Sequence, residues 1–571
     1  MAATLKPLNF HLSLKRCMSQ AIFEIADSSF PSFRLLGPPE IYQTPAPGNQ
    51  ESVNDQNQNQ TQSKAATSAD PFMNSMMANF NNFASARSIF PMGFTENNSP
   101  KFLSSGNPCL DFFFHVVPDT PSYQVEQRLK LAWEQNPLTA LKLVCNLRGV
   151  RGTGKSDGEG FYASAFWLFE NHPKTLASNA ASVAKFGYFK DLPEILYRLH
   201  HGLDVRKTSK RQSRRYARGR DKLEKQPKTP SSRRQKAIAA AKIAVDMYNN
   251  DPVYRVRDRL RKQVLVPLRK AMKLPEVYMS AKQWNILPYN RVASVAMKNY
   301  KDLFLKHDQE RFEEYLGNVK KGKAKIAAGA LLPHMIIKSL KEGTGGEVEV
   351  LQWKRMVDDL SAIGKLKNCL AISDVSGSMY GTPLEVSVAL GLLVSDLSEE
   401  PWKGKLITFS RNPQLQIIEG DDLRAKILCI ERMDWQMNTD FQKVFDKILE
   451  VAKEHNLTED QMIKRLFVFS DMEFDEAYGV SSYEKVNWET DYQARKFHDS
   501  GYSSVPEIVF WNLRNSAATP VPSHQKGVAM VSGFSKNLLK LFLEEGGVMD
   551  PVSAMESAIK GKEYDALVVV D

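Results

Sequence analysis

One carboxylate and two hydroxyls lie at alternate positions of a five-residue segment, Asp374-Val375-Ser376-Gly377-Ser378. Mg²⁺ prefers oxygen ligands and retains several of its waters, so these side chains suit it better than His or Cys would. The same residue types also form ordinary turns, in which an Asp or Ser side chain binds nearby backbone. The motif alone therefore leaves two alternatives, a cation site and a metal-free turn.

Two later residues extend this set. Asp471 follows the apolar run 465–470 just as Asp374 follows the apolar run 369–373, and Thr439 lies between two segments of helical pattern. Short apolar runs bounded by turn residues predict buried strands, and open α/β sheets bind ligands at the carboxyl ends of their strands. We therefore predict a Mg²⁺ or Mn²⁺ site at this end of a sheet. The predicted metal ligands are Asp374, Ser376, Ser378, Thr439 and Asp471.

These five residues, in this order, resemble the metal-ion-dependent adhesion site of von Willebrand factor A (vWA) domains. In that family the Ser and Thr hydroxyls contact the metal, the two Asp act largely through water, and a carboxylate of a partner protein can take the open position. The resemblance implies a doubly wound, Rossmann-like α/β fold over residues 364–571. It also implies a protein partner that presents an acidic group.

The apolar runs of this C-terminal part predict the elements that would position the site. We expect strands at 369–373, 404–410, 414–419, 465–470, 507–513 and 528–532, and a last apolar run at 566–570. Helices are expected from Pro383 onward and at 422–433, 441–454 and 538–545.

The rest of the chain divides into two further regions. Residues 1–70 become rich in Pro, Gln and Asn, and such a segment buries too little apolar surface to fold, so we expect disorder. Residues 71–363 show helical spacing with short loops, as in the helix that Asn136-Pro137 begins, which favours stacked helical pairs in an α-solenoid.

A phosphate-loop motif lies within the helical region. Residues 149–156 satisfy G-x-x-x-x-G-K-[ST], in which the Lys would reach a bound phosphate. That motif requires a strand before it, whereas Leu138 to Leu147 have helical spacing, and the acids Asp157 and Glu159 follow it. We therefore favour a glycine-rich turn between two helices over a nucleotide site.

The positive charge of the chain is confined to one segment. Residues 206–236 contain fourteen Lys or Arg and two acids, a net charge of +12, and the whole chain carries +11. Such a segment suits contacts to nucleic-acid phosphates or nuclear import, or it is a tolerated insertion without a partner. The candidate nucleic-acid-binding residues are Arg206, Lys207, Lys210, Arg211, Arg214, Arg215, Arg218 and Arg220.

Two family resemblances cover the helical region. An Arg- and Gly-rich turn between paired helices, ahead of a vWA-like domain, resembles the TROVE module of the Ro autoantigen family, which binds small or misfolded RNAs. The segments 146–152 and 283–294 are similar to an uncharacterised family of plants and giant viruses, DUF2828, and that resemblance extends over about residues 71–571. DUF2828 implies no established activity.

Several classes of function are disfavoured. The chain has no H-E-x-x-H motif, and no general base is identifiable for Ser376 or Ser378, so we predict no enzymatic activity. It has no membrane-spanning run, and its five scattered cysteines favour a reducing compartment, cytoplasm or nucleus. Because Glu24 and Asp27 are unusual in a transit peptide, organelle import is the less favoured alternative. We expect a metal-dependent interaction scaffold, with a Ro-like RNA-binding protein as the alternative.

Overall fold

The computed structural model describes residues 92–94, 100–188, 190–205, 255, 258–259, 261–343, 345–408, 413–433, 441–473, 492–503, 505–543 and 549–571. The predicted disorder in 1–70, the basic segment 206–236 and Thr439 lie outside the described residues.

The N-terminal part is helical after a short antiparallel hairpin, β1 (Met92–Phe94) and β2 (Pro100–Phe102). The helices before residue 206 are α1 (Pro108–His115), α2 (Ser122–Gln135), α3 (Pro137–Arg148), α4 (Gly158–Asn171), α5 (Pro173–Ser178), α6 (Ala180–Phe186) and α7 (Asp191–His201). A π-helical turn (Arg261–Leu265) then precedes α8 (Val266–Ala271), α9 (Pro275–Ser280), α10 (Ser294–His307), α11 (Gln309–Lys320), α12 (Pro333–Lys341) and α13 (Glu347–Ser361).

Local sequence explains where several of these helices begin. The Asn136 side chain accepts a hydrogen bond from the N–H of Thr139 at 3.0 Å, and Pro137 occupies the first turn. Apolar residues at helical spacing begin at Ile326, but the helix itself begins at Pro333, because a residue that precedes proline is disfavoured in helical conformation. The hairpin β1–β2 also differs from the helical pattern predicted after residue 71.

The C-terminal part is built on a mixed six-stranded sheet, which confirms the predicted α/β class. Its strands are β3 (Cys369–Ser373), β4 (Lys405–Thr408), β5 (Leu415–Ile417), β6 (Arg465–Ser470), β7 (Glu507–Asn512) and β8 (Val528–Ser532). The strand order is β5-β4-β3-β6-β7-β8, and the β4–β5 pair is antiparallel while the other pairs are parallel. The apolar run 566–570 forms no strand.

The strand order reverses direction between β3 and β6. From β3 the chain proceeds to β4 and β5 on one side, then returns to β6 and continues to β7 and β8 on the other. Ser373, the last residue of β3, pairs with Phe469 of β6, so the residues that follow leave the sheet at the same edge. In open α/β sheets the crevice at such a reversal is the usual place for a ligand.

The remaining helices are α14 (Thr382–Leu397), α15 (Leu423–Arg432), α16 (Phe441–Glu454), α17 (Tyr492–Asp499) and α18 (Pro551–Ala558). The predicted helix 538–545 is a 3₁₀-helix, Lys536–Phe542. Helix α14 packs directly on β3: a Cβ at Gly391 would lie 2.1 Å from the Ser373 hydroxyl, so glycine is required for this close approach.

One large hydrophobic core spans the two parts, and a second, smaller cluster around Tyr289, Phe304 and Phe312 lies within the helical part. A single cluster of buried side chains extends from Cys109 of α1 to Leu567 and includes the central strands of the sheet. Helix α1 packs on β8, and the Asn512 side chain at the end of β7 donates to the Phe114 carbonyl at 3.1 Å. Leu366, where the helical part leads into the sheet, is fully buried and bridges to Ser398.

Candidate functional site

Asp374 lies at the carboxyl end of β3 and is only 2% exposed. Its backbone N–H donates to the Phe469 carbonyl at 2.9 Å, which continues the β3–β6 ladder by one residue. Its carboxylate accepts two hydrogen bonds, from the Ser376 N–H at 2.9 Å and from the Ser470 hydroxyl at 2.7 Å. The carboxylate is therefore fixed between the two central strands.

Asp471 lies at the corresponding end of β6 and is 5% exposed. Its Oδ1 accepts the N–H of Glu473 at 3.1 Å and lies 3.5 Å from the Ser470 hydroxyl, which also binds Asp374. Met472, between the two acids of this turn, has a φ of +67°, an uncommon conformation for a non-glycine residue. The two predicted Asp ligands thus share Ser470 as a common neighbour.

The two carboxylates lie close enough for the charge of Asp471 to act on Asp374. Burial, and then the charge of Asp471, raise the pKa of Asp374 to about 6. The hydrogen bonds from Ser376 and Ser470 act in the opposite direction but do not overcome these two effects. Within the described ranges, the ion pairs of the chain do not include Asp374 or Asp471. A divalent cation would supply the missing charge.

The hydroxyls of Ser376 and Ser378 lie 2.9 Å apart and form a hydrogen bond. They are held by a 3₁₀ turn, Gly377–Met379, in which Met379 is fully buried while Ser378 is exposed. Gly381, with a φ of +101°, then lets the chain enter α14. The amino terminus of α14 points its positive dipole end toward this loop, so attraction for a cation has to come from the carboxylates.

The structure therefore brings Asp374, Ser376 and Ser378 together by direct hydrogen bonds, and joins Asp471 to them through Ser470. Thr439 and the eight candidate nucleic-acid-binding residues lie outside the described residues. Among the residues that the structure describes, no group of three or more His, Cys, Asp or Glu side chains is arranged to hold a metal. The predicted site differs from such a group because it has only two carboxylates and takes its other ligands from three hydroxyls, those of Ser376, Ser378 and Thr439.

Two features of this site were not expected from the sequence, the contribution of Ser470 and the ion pair of Glu473. Ser470 is the last residue of β6, and the register that places it beside Asp374 is the only signal that identifies it. Glu473 is paired with Lys101, whose Nζ lies 2.9 Å from Oε1, although the two residues are 372 positions apart. No local pattern in the sequence indicates that pairing.

The Lys of the phosphate-loop motif is hydrogen-bonded to other groups of the protein. Helix α3 precedes it, and Lys155 is 1% exposed. The Lys155 Nζ donates to the Phe113 carbonyl, to the Val116 carbonyl at 3.3 Å and to the Ser532 hydroxyl at 2.7 Å. Burial lowers the pKa of Lys155 to about 7. The turn interpretation is supported, because the motif has no preceding strand and its Lys has no free position for a phosphate.

Other observations bear on the environment of the chain. The four cysteines that the structure describes, Cys109, Cys145, Cys369 and Cys429, have free thiols. In the described ranges, no helix has both the length and the apolar character that crossing a membrane requires.

Two family models match the chain. The helical part is similar to DUF2828, a domain of unknown function, whose model matches residues 95–248 and 239–366. A second domain of unknown function, DUF7788, matches residues 368–567, so the C-terminal part of the predicted DUF2828 resemblance corresponds to a separate model. An uncharacterised protein of Acanthamoeba polyphaga mimivirus is 28% identical over 499 residues, which cover 79% of this chain and 84% of the viral protein. The predicted similarity to DUF2828 and to a giant-virus protein is confirmed.

Proposed function

We propose that this protein is a non-enzymatic interaction scaffold whose C-terminal part is a vWA-like domain that binds a divalent cation. The carrying observation is the buried pair Asp374 and Asp471 at the reversal of strand order, which lies beside two hydroxyls and forms no ion pair with a described residue. Ser376, Ser378 and the sequence-predicted Thr439 would contact Mg²⁺ or Mn²⁺, and the two Asp would hold it largely through water. The cation would offer its open position to a carboxylate of a protein partner.

The chemistry of the donors supports this proposal. Oxygen ligands alone, with hydroxyls beside two carboxylates, suit Mg²⁺ or Mn²⁺ better than Zn²⁺, which favours Cys and His. Among the described residues, the Ser376 and Ser378 hydroxyls bind each other, and Asp374 already accepts two hydrogen bonds, so no general base for either hydroxyl is identified there. Binding therefore accounts for the arrangement without turnover.

The experiment is calorimetric titration of the chelator-treated full chain with MnCl₂ and with MgCl₂. Heat of binding is expected for the wild type and is expected to be lost in Asp374→Ala and strongly reduced in Thr439→Ala. Asp359→Asn is the matched control, because Asp359 forms an exposed ion pair with Arg355 away from the site. Absence of heat at millimolar Mn²⁺ and Mg²⁺ in the wild type would sink the proposal and favour a metal-free turn.

A second candidate function is RNA binding, favoured by the net charge of +12 in residues 206–236. In this proposal the helical part would be an α-solenoid, as in the TROVE module, and the basic segment would contact phosphates. Contacts to six to ten phosphates weaken binding by about 10³–10⁵ between 50 and 200 mM salt. Filter binding of a single-stranded RNA probe should show this salt dependence and lose it when 206–236 is deleted. Equal retention with and without the segment would contradict it.

A further inference from the structure

A polar network connects the beginning of the helical part to the loop after Asp471. Lys101 in β2 donates to both carboxylate oxygens of Glu473, at 2.9 and 3.0 Å. The two side chains are only 12% and 17% exposed, so this ion pair is much less screened by solvent than a surface pair. The Ser516 hydroxyl donates to the same carboxylate at 2.8 Å, which leaves Glu473 tightly held.

Glu473 also contacts the candidate site through its backbone. Its N–H is the donor that binds Asp471 Oδ1 at 3.1 Å, and only Met472 separates the two acids. The side chain and the backbone of one residue thus join Lys101 to a predicted metal ligand. A shift of Glu473 would move the N–H that orients Asp471.

The Lys101 end of this connection is itself anchored. The Phe102 carbonyl, next to Lys101, accepts the N–H of Thr519 at 3.0 Å. His115 of α1 donates from Nδ1 to the Ser516 carbonyl at 3.0 Å, which leaves Nε2 to accept the Thr519 hydroxyl at 2.9 Å. Burial holds the pKa of His115 well below its usual value, so the ring is neutral and carries its proton on Nδ1, which faces the carbonyl.

We propose that Lys101 is a positioning residue for the cation site and sets its affinity by fixing Glu473, whose N–H orients Asp471. The inference rests on the proposed function, because it assumes that a cation binds beside Asp374 and Asp471. It goes further by making a residue of the helical part necessary for binding at the sheet. Partners that orient a metal ligand without touching the metal change metal affinity by about 10–100-fold when they are removed.

The test is Mn²⁺ titration of the full chain, comparing wild type with Lys101→Met. We expect affinity to fall by about 10-fold or more. Lys101→Arg should recover most of it, because a guanidinium also pairs with a carboxylate through two hydrogen bonds. The matched control is Arg465→Met, which removes the ion pair with Glu507 (2.9 Å) at the opposite end of β6. It should leave Mn²⁺ affinity within about twofold of wild type.

The outcomes separate this inference from the function on which it rests. If the wild type binds no Mn²⁺, the proposed function fails and the inference fails with it. If the wild type binds and Asp374→Ala does not, but Lys101→Met binds within twofold of wild type, only the inference is overturned. Thermal unfolding of each metal-free variant identifies general loss of structure. If Lys101→Met does not fold, Glu473→Gln decides, and its unchanged Mn²⁺ affinity would overturn the inference.

Discussion

Two glycine- and serine-containing loops of this chain match ligand-binding motifs, but the charged residues of the two loops have different surroundings. In the loop 149–156, the Lys155 ammonium is surrounded by acceptors from Phe113, Val116 and Ser532, all within the protein. In the loop 374–378, the Asp374 carboxylate lies beside a second buried carboxylate. The Lys155 amine has its hydrogen-bond partners within the protein, whereas among the described residues no basic side chain pairs with Asp374 or Asp471.

The difference shows how a motif match should be judged. A buried charged group needs a partner of opposite charge or a full set of hydrogen bonds, because desolvation is costly. Where the protein supplies that set, as for Lys155, the motif is structural. Where it concentrates like charge instead, as for Asp374 and Asp471, a ligand of opposite charge becomes the natural explanation.

The largest effect is expected from Lys155→Met. The substitution removes the Lys155 donor from the Phe113 and Val116 carbonyls and from the Ser532 hydroxyl, and only the Ser532 hydroxyl, which donates to the Phe113 carbonyl at 2.9 Å, partly replaces it. The free energy of unfolding should therefore fall by about 2–4 kcal/mol. Urea denaturation of the wild type and the variant measures this difference in the free energy of unfolding. If Lys155 served to bind a ligand and did not stabilise the fold, the free energy of unfolding would be unchanged. The contrast drawn here between Lys155 and Asp374 would then be wrong.

The pH dependence of that effect sharpens the comparison. Burial lowers the pKa of Lys155 from 10.5 to about 7, so its contribution to stability is full above about pH 10.5 and is lost as the pH falls through 7. The destabilisation by Lys155→Met should therefore be greater at pH 9 than at pH 7. The same loss at both pH values would contradict a buried amine at this position.

Asp374→Asn should have a smaller effect, of opposite sign. In the metal-free protein the pKa of Asp374 is raised from 3.8 to about 6, so its contribution to stability is present below about pH 4 and lost as the pH rises through 6. The neutral amide relieves the repulsion with Asp471. Metal-free Asp374→Asn should exceed wild type by about 1–3 kcal/mol at pH 7.5 and by little at pH 4.

Thermal unfolding of the chelator-treated proteins at the two pH values tests this expectation. Asp359→Asn, in an exposed ion pair, serves as the control and should change stability by less than about 1 kcal/mol. A variant at position 374 that is less stable than wild type at pH 7.5 would show that the carboxylate is not under electrostatic strain.

The smallest effect concerns nucleotides, for which we expect no change in the melting temperature. Because the Lys155 ammonium is fully engaged, ATP or GTP with Mg²⁺ should not raise the melting temperature of the chain beyond the effect of Mg²⁺ alone. A ligand at 100 times its dissociation constant would stabilise the fold by about 2.7 kcal/mol, which a thermal shift assay detects readily. A nucleotide-dependent shift that Lys155→Met abolishes would restore the nucleotide interpretation.

The sequence predicted the sheet well because its strands are short, buried apolar runs with clear ends. The run 465–470 coincides with β6. Asp374 and Asp471 directly follow two such runs, which predicted that both lie at the same end of the sheet. Helix boundaries were harder. The helical pattern that begins at Pro173 predicts one helix to about Gly187, but the structure has two, α5 and α6, which meet at Asn179. The Asn179 side chain binds the backbone of Val568 near the C-terminus.

The contacts that could not be predicted from the sequence are those between distant segments. Lys101 meets Glu473, and Lys155 meets Ser532, through packing of the helical part against the sheet. Neither pairing leaves a periodicity or a spacing in the chain. Part of the candidate site was therefore predictable from strand ends, while its supporting network required the three-dimensional structure.

The shared core has a thermodynamic consequence. Leu366 is fully buried at the junction between the two family matches, which end at 366 and begin at 368. Side chains from both sides of that junction pack in one cluster, so melting either part exposes apolar surface of the other. We expect cooperative unfolding of the described parts in a single transition, in which a cation that stabilises the sheet raises the melting temperature of the helices equally.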